Sequence, residues 1–152
     1  MPQVGVQLAR NAGATVIGLF GGANHKWLTD HSVIPVTNGE RVEDRIRAAS
    51  GGKFDGFIDT FGGGYFELAI ELGVALNRID TIIDFAAAAK YGVKTEGNHE
   101  GATADVLAQL AGLLAAGRLE IPIAKIYPLA DVRDAYRELE QLHTRGKIVL
   151  EP

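Results

Sequence analysis

Two kinds of apolar segment alternate along the chain. Continuous apolar runs, such as 14–20, are typical of strands that are buried on both faces of a parallel sheet. Between such runs, apolar residues recur every three or four positions, as at Val106, Leu110 and Leu113, which indicates amphipathic helices. This alternation predicts an α/β fold with a mostly parallel sheet and helices on both of its faces.

The pattern predicts one domain over residues 1–152, without repeats or linkers. We expect strands at 14–20, 32–36, 54–60, 78–83, 93–97, 119–126 and 147–150. We expect helices at 4–12, 24–29, 42–49, 66–74, 86–89, 106–114 and 131–142, the last with an inner face that includes Val132, Ala135, Tyr136, Leu139 and Leu142. Gly13, Asn77 and Gly117 are expected to end helices in the left-handed conformation, and the pair Gly51-Gly52 closes the third helix.

Composition excludes several classes of function. Fifteen basic residues against nineteen acidic ones give a net charge of −4, and the basic residues are scattered, so no nucleic-acid surface is predicted. The absence of cysteine excludes disulfides, a thiol nucleophile and a Cys-ligated zinc site, and the histidines are too dispersed to suggest a metal centre. No apolar run approaches the ~20 residues that cross a bilayer, and we expect a cytoplasmic protein.

Several short motifs occur together in a familiar order. They are the segment 6–18, Asn24-His25 with Leu28, the turn 59–63, the stretch 84–89, the segment 114–119, Tyr127-Pro128-Leu129-Ala130 and the ending 143–150. Together they resemble the cofactor domain of medium-chain dehydrogenases/reductases, in particular the zinc-independent quinone oxidoreductase branch. The resemblance covers essentially the whole chain and implies a Rossmann-like fold that binds a nicotinamide cofactor.

The chain departs from that family at its start. In the family, a strand and a glycine-rich turn precede the first helix and bring the backbone close to the cofactor pyrophosphate. Here the residues 1–5 already belong to the helix, and Gly5 falls at a helical position. We therefore expect a Rossmann-like domain that lacks the usual first strand and is part of a longer oxidoreductase.

The turn after the first predicted strand bears on the choice between NAD and NADP. An acid at this point would bond the ribose 2′-hydroxyl and repel a 2′-phosphate, and none is present in 20–26. The sequence therefore favours NADP(H), with cofactor contacts from Phe20, Gly21, Gly22, Asn24, His25 and Lys26. A plain turn with a solvated lysine is the alternative.

Three further segments supply candidate cofactor contacts through the resemblance. Thr60, Gly62 and Gly63 follow a buried strand and face a ribose or pyrophosphate in this interpretation, although a tight turn alone would also explain the glycines. Asp84 and Phe85 correspond to the nicotinamide end, but Asp84 is also suited to cap the alanine-rich helix. Lys147 corresponds to a cation near the phosphates, or is a solvated charge.

No residue is a credible catalytic acid, base or nucleophile, in keeping with hydride chemistry that belongs to the cofactor. The resemblance implies a parent enzyme that reduces an enone, quinone or aldehyde, while the isolated chain would bind cofactor weakly and not turn over. The alternatives are a non-enzymatic oligomerisation or interaction module, and a methyltransferase that binds S-adenosylmethionine. Proline in 119–123 suggests an edge strand, through which we expect a homodimer.

Overall fold

The computed structural model describes residues 2–96, 101–141 and 144–152. The described helices are α1 (Pro2–Asn11), α2 (His25–Asp30), α3 (Val42–Ser50), α4 (Tyr65–Glu71), α5 (Phe85–Tyr91), α6 (Ala104–Ala115) and α7 (Val132–Glu140). The described strands are β1 (Ile17–Leu19), β2 (Ile34–Val36), β3 (Phe57–Asp59), β4 (Ile79–Thr81), β5 (Ile123–Pro128) and β6 (Lys147–Glu151). Short 3₁₀ turns precede α2, β4 and α7.

All three strand pairings are parallel. In the described residues β1 pairs with β2, β3 with β4, and β5 with β6, as three two-stranded sheets. This arrangement confirms the predicted α/β class and its Rossmann-like alternation of strand and helix. Strands β1 to β4 are shorter than the stretches in which they were predicted, because only the residues that have a hydrogen-bonded partner strand form a ladder.

Two predicted strands differ from the structure. The stretch predicted at 93–97 contributes one isolated bridge, between Lys94 and Asp80, and Gly97 lies outside the described residues. The stretch predicted from Leu119 forms a strand only from Ile123 onward. The side chain of Gln7 bonds both the N–H and the C=O of Glu120, at 2.8 and 2.9 Å, so that α1 engages the backbone that a neighbouring strand would use.

Three helices end at the glycines that the sequence predicted. Gly13, Gly51 and Gly117 have φ values of +89°, +68° and +65°. The prediction for Asn77 is wrong: α4 ends at Glu71, and Gly73, with φ +83°, makes the left-handed turn. A residue without Cβ adopts this conformation at little cost, and Asn77 lies instead in the 3₁₀ turn before β4.

The buried residues form two clusters. The larger includes Val36, Ile46, Phe66, Leu72 and Ile79, beneath the first two strand pairs, with Ile17, Leu19 and Phe57 packed against it. The smaller contains Phe20, Leu28 and Val33, with Trp27 partly buried beside them. No helix among the described residues is long and apolar enough to cross a membrane.

Much apolar surface lies outside both clusters. None of the twelve residues of α6 is buried, although the helix carries a single charge, on Asp105. In α7 the predicted inner face is partly wrong, because Ala135 is buried but Tyr136 and Leu139 are 62% and 50% exposed. Leu142, the last predicted member of that face, lies outside the described residues.

Candidate functional site

The first group of candidate residues follows β1. The backbone N–H of Phe20 bonds the carbonyl of Val36 at 3.0 Å, so β1 and β2 end side by side. Gly21 and Gly22 are exposed, and a Cβ on either would meet no atom within 4 Å, which leaves room for a ligand to approach the backbone. Asn24 occupies the position before α2, but its side chain makes no capping bond.

His25 and Lys26, the first two residues of α2, are two of the polar residues that follow this turn. His25 Nε2 lies 3.3 Å from the carbonyl oxygen of Phe20 and 3.4 Å from Thr37 Oγ1, so the imidazole bridges the ends of β1 and β2. Lys26 Nζ forms an ion pair with Asp30 at 2.8 Å, one turn along α2. Because the Lys26 side chain is 85% exposed, this ion pair contributes little stability and the ammonium group is accessible to an anion.

A cavity of about 240 Å³ brings two of the predicted residues together. Phe20 and Lys147 both line it, with Gln3 and Val4 from the first turn of α1 and Ile121, Pro122, Thr144 and Gly146 from the chain before β5 and β6. The N–H groups at a helix start have no partner within the helix, and the helix dipole is positive there. The first turn of α1 contains no acidic residue. This cavity is therefore suited to an anion such as a phosphate.

The second group follows β3 and β4. Asp59 and Thr81, the last residues of these strands, are 2% and 0% exposed, and Thr81 Oγ1 donates a 3.0 Å hydrogen bond to Asp59 Oδ2. Asp59 Oδ1 accepts from the N–H groups of Phe61 and Gly62, at 3.0 and 2.8 Å. The amide of Gly62 is thus used inside the protein, and Gly62 itself is buried, so this N–H is not available to a cofactor.

The loop after β3 is made of glycines that require left-handed backbone. Gly62, Gly63 and Gly64 have φ values of +76°, +69° and +89°. Thr60 precedes them and is partly buried. No other residue type accepts three successive conformations of this kind without strain.

Asp84 caps α5, as one of the two interpretations of this residue predicted. Its Oδ1 accepts the N–H of Ala87 at 2.9 Å. The neighbouring Phe85 is 54% exposed, and Phe61 and Ile83 are 74% and 52% exposed. The two loops after β3 and β4 therefore present apolar side chains to the outside, which suits contact with a flat, weakly polar ring.

Sequence reasoning missed four residues of these groups. Asp59 and Thr81 are 22 positions apart, and no local pattern pairs them. Thr37 became a candidate only through its contact with His25. Phe61 carried a usable signal, because a large aromatic residue beside a run of glycines has no helix or strand face to pack against.

A second cavity, larger than the first, lies elsewhere, against α7. It has a volume of about 420 Å³ and is lined by Tyr127, Asp134, Arg137, Glu138, Gln141 and Thr144. Its carboxylates are already engaged: Asp134 pairs with Arg137 at 2.6 Å, and Glu138 accepts from Tyr127 at 2.6 Å and pairs with Lys125 at 3.1 Å. These bonds lower the pKa of Glu138. None of the predicted cofactor contacts lines this cavity.

The described residues do not fit a metal ion. No three histidine, aspartate or glutamate side chains among them converge as ligands, and the sequence has no cysteine. Zinc sites in proteins use three or four such ligands.

Comparison with protein families gives a match over most of the chain. The model of a family described as zinc-binding dehydrogenase matches residues 30–150. A search of curated proteins gave no match.

Solved structures share the fold. The chain is similar to the quinone oxidoreductase from Coxiella burnetii, with a TM-score of 0.77 and 23% identity over 98% of this chain and 48% of that one. For a mycobacterial quinone oxidoreductase the TM-score is 0.74 and the identity 21%, over 99% of this chain and 53% of that one. For the cobalt- and zinc-bound alcohol dehydrogenase from Pyrobaculum aerophilum the TM-score is 0.67 and the identity 22%, over 97% of this chain and 46% of that one. The chain thus spans about half the length of these proteins.

Proposed function

Because the chain belongs to the zinc-binding dehydrogenase family, we propose that it is an oxidoreductase cofactor-binding domain whose cofactor is NADP(H). The observation that carries the proposal is the cavity shared by Phe20, Lys147 and the first turn of α1. A cation and a helix N-terminus at one cavity are suited to a pyrophosphate. At about 240 Å³ the cavity holds the phosphates and not a whole dinucleotide, so the remainder of the cofactor lies along the strand ends.

The adenosine end is assigned to the turn after β1. Gly21 and Gly22 allow close approach, and His25 and Lys26 supply groups for a 2′-phosphate. Asp30 competes for Lys26 through their exposed ion pair. A doubly charged phosphate attracts the ammonium group more strongly than one carboxylate does, so NADP(H) binding is expected to break this pair.

The nicotinamide end is assigned to the loops after β3 and β4. Thr60, Gly62 and Gly63 contribute the first loop, and Asp84 and Phe85 the second. When bound, the nicotinamide supplies the hydride chemistry. The part of this chain is to orient the ring, to which the exposed Phe61 and Ile83 offer apolar contact.

The reaction proposed for the whole enzyme is hydride transfer to an enone, quinone or aldehyde. Its support is the family match and the likeness to proteins named as quinone oxidoreductases and alcohol dehydrogenases. No described residue acts as acid or base in this proposal, so the isolated chain would bind cofactor and not turn over. A cytoplasmic location is part of the same proposal.

Cofactor titration with matched variants tests the proposal. Trp27, the only tryptophan, lies next to Lys26, so its fluorescence can follow binding of NADPH and, separately, NADH. We expect NADPH to saturate at the lower concentration. Lys26→Ala should weaken NADPH binding by roughly 3- to 10-fold and leave the affinity for NADH unchanged, as expected for a charge-assisted bond lost at an accessible site. Lys147→Ala should weaken the binding of both dinucleotides.

The exposed Lys53 provides the control, because Lys53→Ala removes the same charge outside both groups. If neither dinucleotide gives a saturable signal, the proposed cofactor role is refuted. Equal loss of NADPH and NADH affinity in Lys26→Ala would refute the 2′-phosphate assignment alone.

A homodimer is a second part of the proposal, and it also underlies the alternative of a non-enzymatic interaction module. The edge strand for this dimer was predicted near 119–123, and in the structure the strand in this region is β5, which begins at Ile123. Along β5 only Tyr127 is even partly buried, and Ile123 and Ile126 are 51% and 52% exposed. A two-stranded sheet with exposed apolar residues favours pairing with a second copy along this edge.

A further inference from the structure

A buried carboxylate and a buried hydroxyl connect the two loops that are assigned to the nicotinamide end. Asp59 ends β3 and Thr81 ends β4, and the register of these strands places the two residues side by side. Both are almost inaccessible to solvent, and the bond from Thr81 Oγ1 to Asp59 Oδ2 is 3.0 Å long. A hydrogen bond of this kind is strong and costly to break, because neither partner can turn to water.

Each member of the pair also holds the backbone of its own loop. Asp59 Oδ1 accepts from the N–H groups of Phe61 and Gly62, and Thr81 Oγ1 accepts from those of Ile83 and Asp84, at 3.3 and 3.0 Å. A hydroxyl has one proton to donate and two lone pairs to accept with, so Thr81 uses its full capacity. Four loop amides are therefore attached to one buried pair.

The first loop has few other means of keeping its shape. Its three glycines carry no side chains, and a Cβ placed on Gly64 would meet no atom within 4 Å. The side chain of Phe61 is 74% exposed, and its ring meets that of Tyr65 edge-on, with the centroids 5.8 Å apart. The carboxylate of Asp59 is the group that fixes the entry into this loop.

We propose that Asp59 and Thr81 are positioning residues, which couple the loop 60–64 to the loop 82–85 and so orient the nicotinamide half of the cofactor. This inference rests on the proposed function. The pair is buried and touches neither cofactor nor substrate. Its effect is to keep the two loops at one separation, so that the contacts of both loops reach the ring together.

The first test compares the two halves of the cofactor. Thr81→Val keeps the shape of the side chain and removes the hydroxyl, and Thr81→Ser keeps the hydroxyl. We expect Thr81→Val to weaken the binding of NADPH and of nicotinamide mononucleotide by about 10-fold. The affinity for adenosine 2′,5′-bisphosphate should stay within about 2-fold of the original. Thr81→Ser should restore binding to within about 3-fold of the original.

The outcomes are distinguishable. Unchanged NADPH affinity in Thr81→Val would overturn the inference, and so would equal losses for both halves, which would indicate a general effect on folding. Thr15→Val makes the same chemical change at an exposed position before β1 and should alter neither half.

The second test needs no ligand. Amide hydrogen exchange of Phe61 and Gly62 is measured in Thr81→Val, because these two amides bond Asp59 and not Thr81. Exchange that is faster by about 10-fold would show that the hydroxyl holds the other loop as well. Unchanged exchange would overturn the coupling. If the original protein binds no dinucleotide, the proposed function fails, and the exchange result decides the coupling of the loops by itself.

Discussion

Two aspartates occupy the same position at the start of a helix and do different things there. Asp84 precedes α5 and bonds the N–H of Ala87. Asp131 precedes α7, but its side chain makes no capping bond. Both carry the same sequence signal for a cap, an aspartate before a run that includes apolar residues. The sequence signal thus identifies where a helix begins, while the rotamer that makes the bond depends on the surrounding chain.

The two caps give a matched pair for a stability measurement. Asp84→Ala should lower the free energy of unfolding by about 1 kcal/mol, because an N–H at the helix start loses its acceptor. Asp131→Ala should change it by less than about 0.5 kcal/mol, through the helix dipole only. Urea denaturation of the three proteins measures both values, and equal losses would contradict the assignment.

A third aspartate is placed unfavourably. Asp80 lies in β4 between Ile58 of β3 and the isolated bridge to Lys94, and its Oδ1 is buried without a hydrogen-bond partner. Burial is the largest influence and raises the pKa of Asp80, as does the negative charge of Glu96. A hydrogen bond from the backbone of Glu96 and the charge of Lys94 oppose it without cancelling it. The folded protein therefore holds this proton more tightly than the unfolded chain does.

The raised pKa of Asp80 predicts a pH dependence. A carboxyl whose pKa is higher in the folded state favours folding below its unfolded pKa, and this contribution is lost as the pH rises through its folded pKa. Asp80→Asn removes the titration. The stability of the variant relative to the original should therefore increase between about pH 3 and about pH 7. Denaturation curves across this range measure the difference, and a constant difference would show that Asp80 does not titrate with folding.

At the scale of elements, the sequence predicted features that depend on one residue, such as the glycines that end helices. It did not predict features that depend on a partner strand, such as the length of a strand. Gly13, Gly51 and Gly117 end helices because left-handed backbone is a property of glycine itself. The extent of a strand is not a local property, since the apolar run 14–20 contributes only three residues to β1. For the same reason the strand predicted at 119–126 is wrong before Ile123, because Gln7 and not a strand engages Glu120.

Gly146 has a role that its neighbours in sequence did not reveal. Its φ is +111°, and a Cβ at this position would collide with the carbonyl group of Pro122, beside the proposed phosphate cavity. The approach is close because Lys147 N–H bonds Pro122 O at 2.8 Å. The start of β6 and the chain before β5 are thus held together at a point where only glycine fits.

Gly146→Ala should therefore destabilise the protein by more than Gly117→Ala. At Gly117 an added Cβ meets no atom within 4 Å, so the cost is the left-handed strain alone, about 1 kcal/mol. At Gly146 the collision with backbone adds to a strained conformation, and we expect about 3 kcal/mol or more. Thermal and urea unfolding of both variants decide the order, and similar losses would refute the close approach.

At the scale of the whole molecule, the resemblance in the motifs identified the family and the fold correctly, whereas the packing of the second half was not predictable. Periodicity assigned an inner face to α7, yet Tyr136 and Leu139 are exposed. Periodicity indicates which residues favour burial and not what is present to bury them. The wholly unburied α6 and the exposed β5 illustrate the same point.

The proposed dimer predicts which of these surfaces matters. Ile126→Lys places a charge on the exposed edge strand β5 and should shift a dimer to monomer at equal protein concentration, because a desolvated charge opposes association. Leu107→Lys places the same charge on α6, where Leu107 is 69% exposed, and should leave the dimer intact. Light scattering of the original protein and both variants tests this. A monomeric original protein would remove the proposal.

The division of the core into two clusters has a consequence for how unfolding is observed. Trp27 packs against the smaller cluster, while the larger one contains no tryptophan. Tryptophan fluorescence therefore reports the loss of the region around α2, whereas far-ultraviolet circular dichroism reports helices throughout the chain. Regions that have their own buried cluster open as separate cooperative units. We expect the two transitions to have different midpoints, and NADPH, whose proposed site lies beside Trp27, to move the fluorescence transition more than the dichroism one.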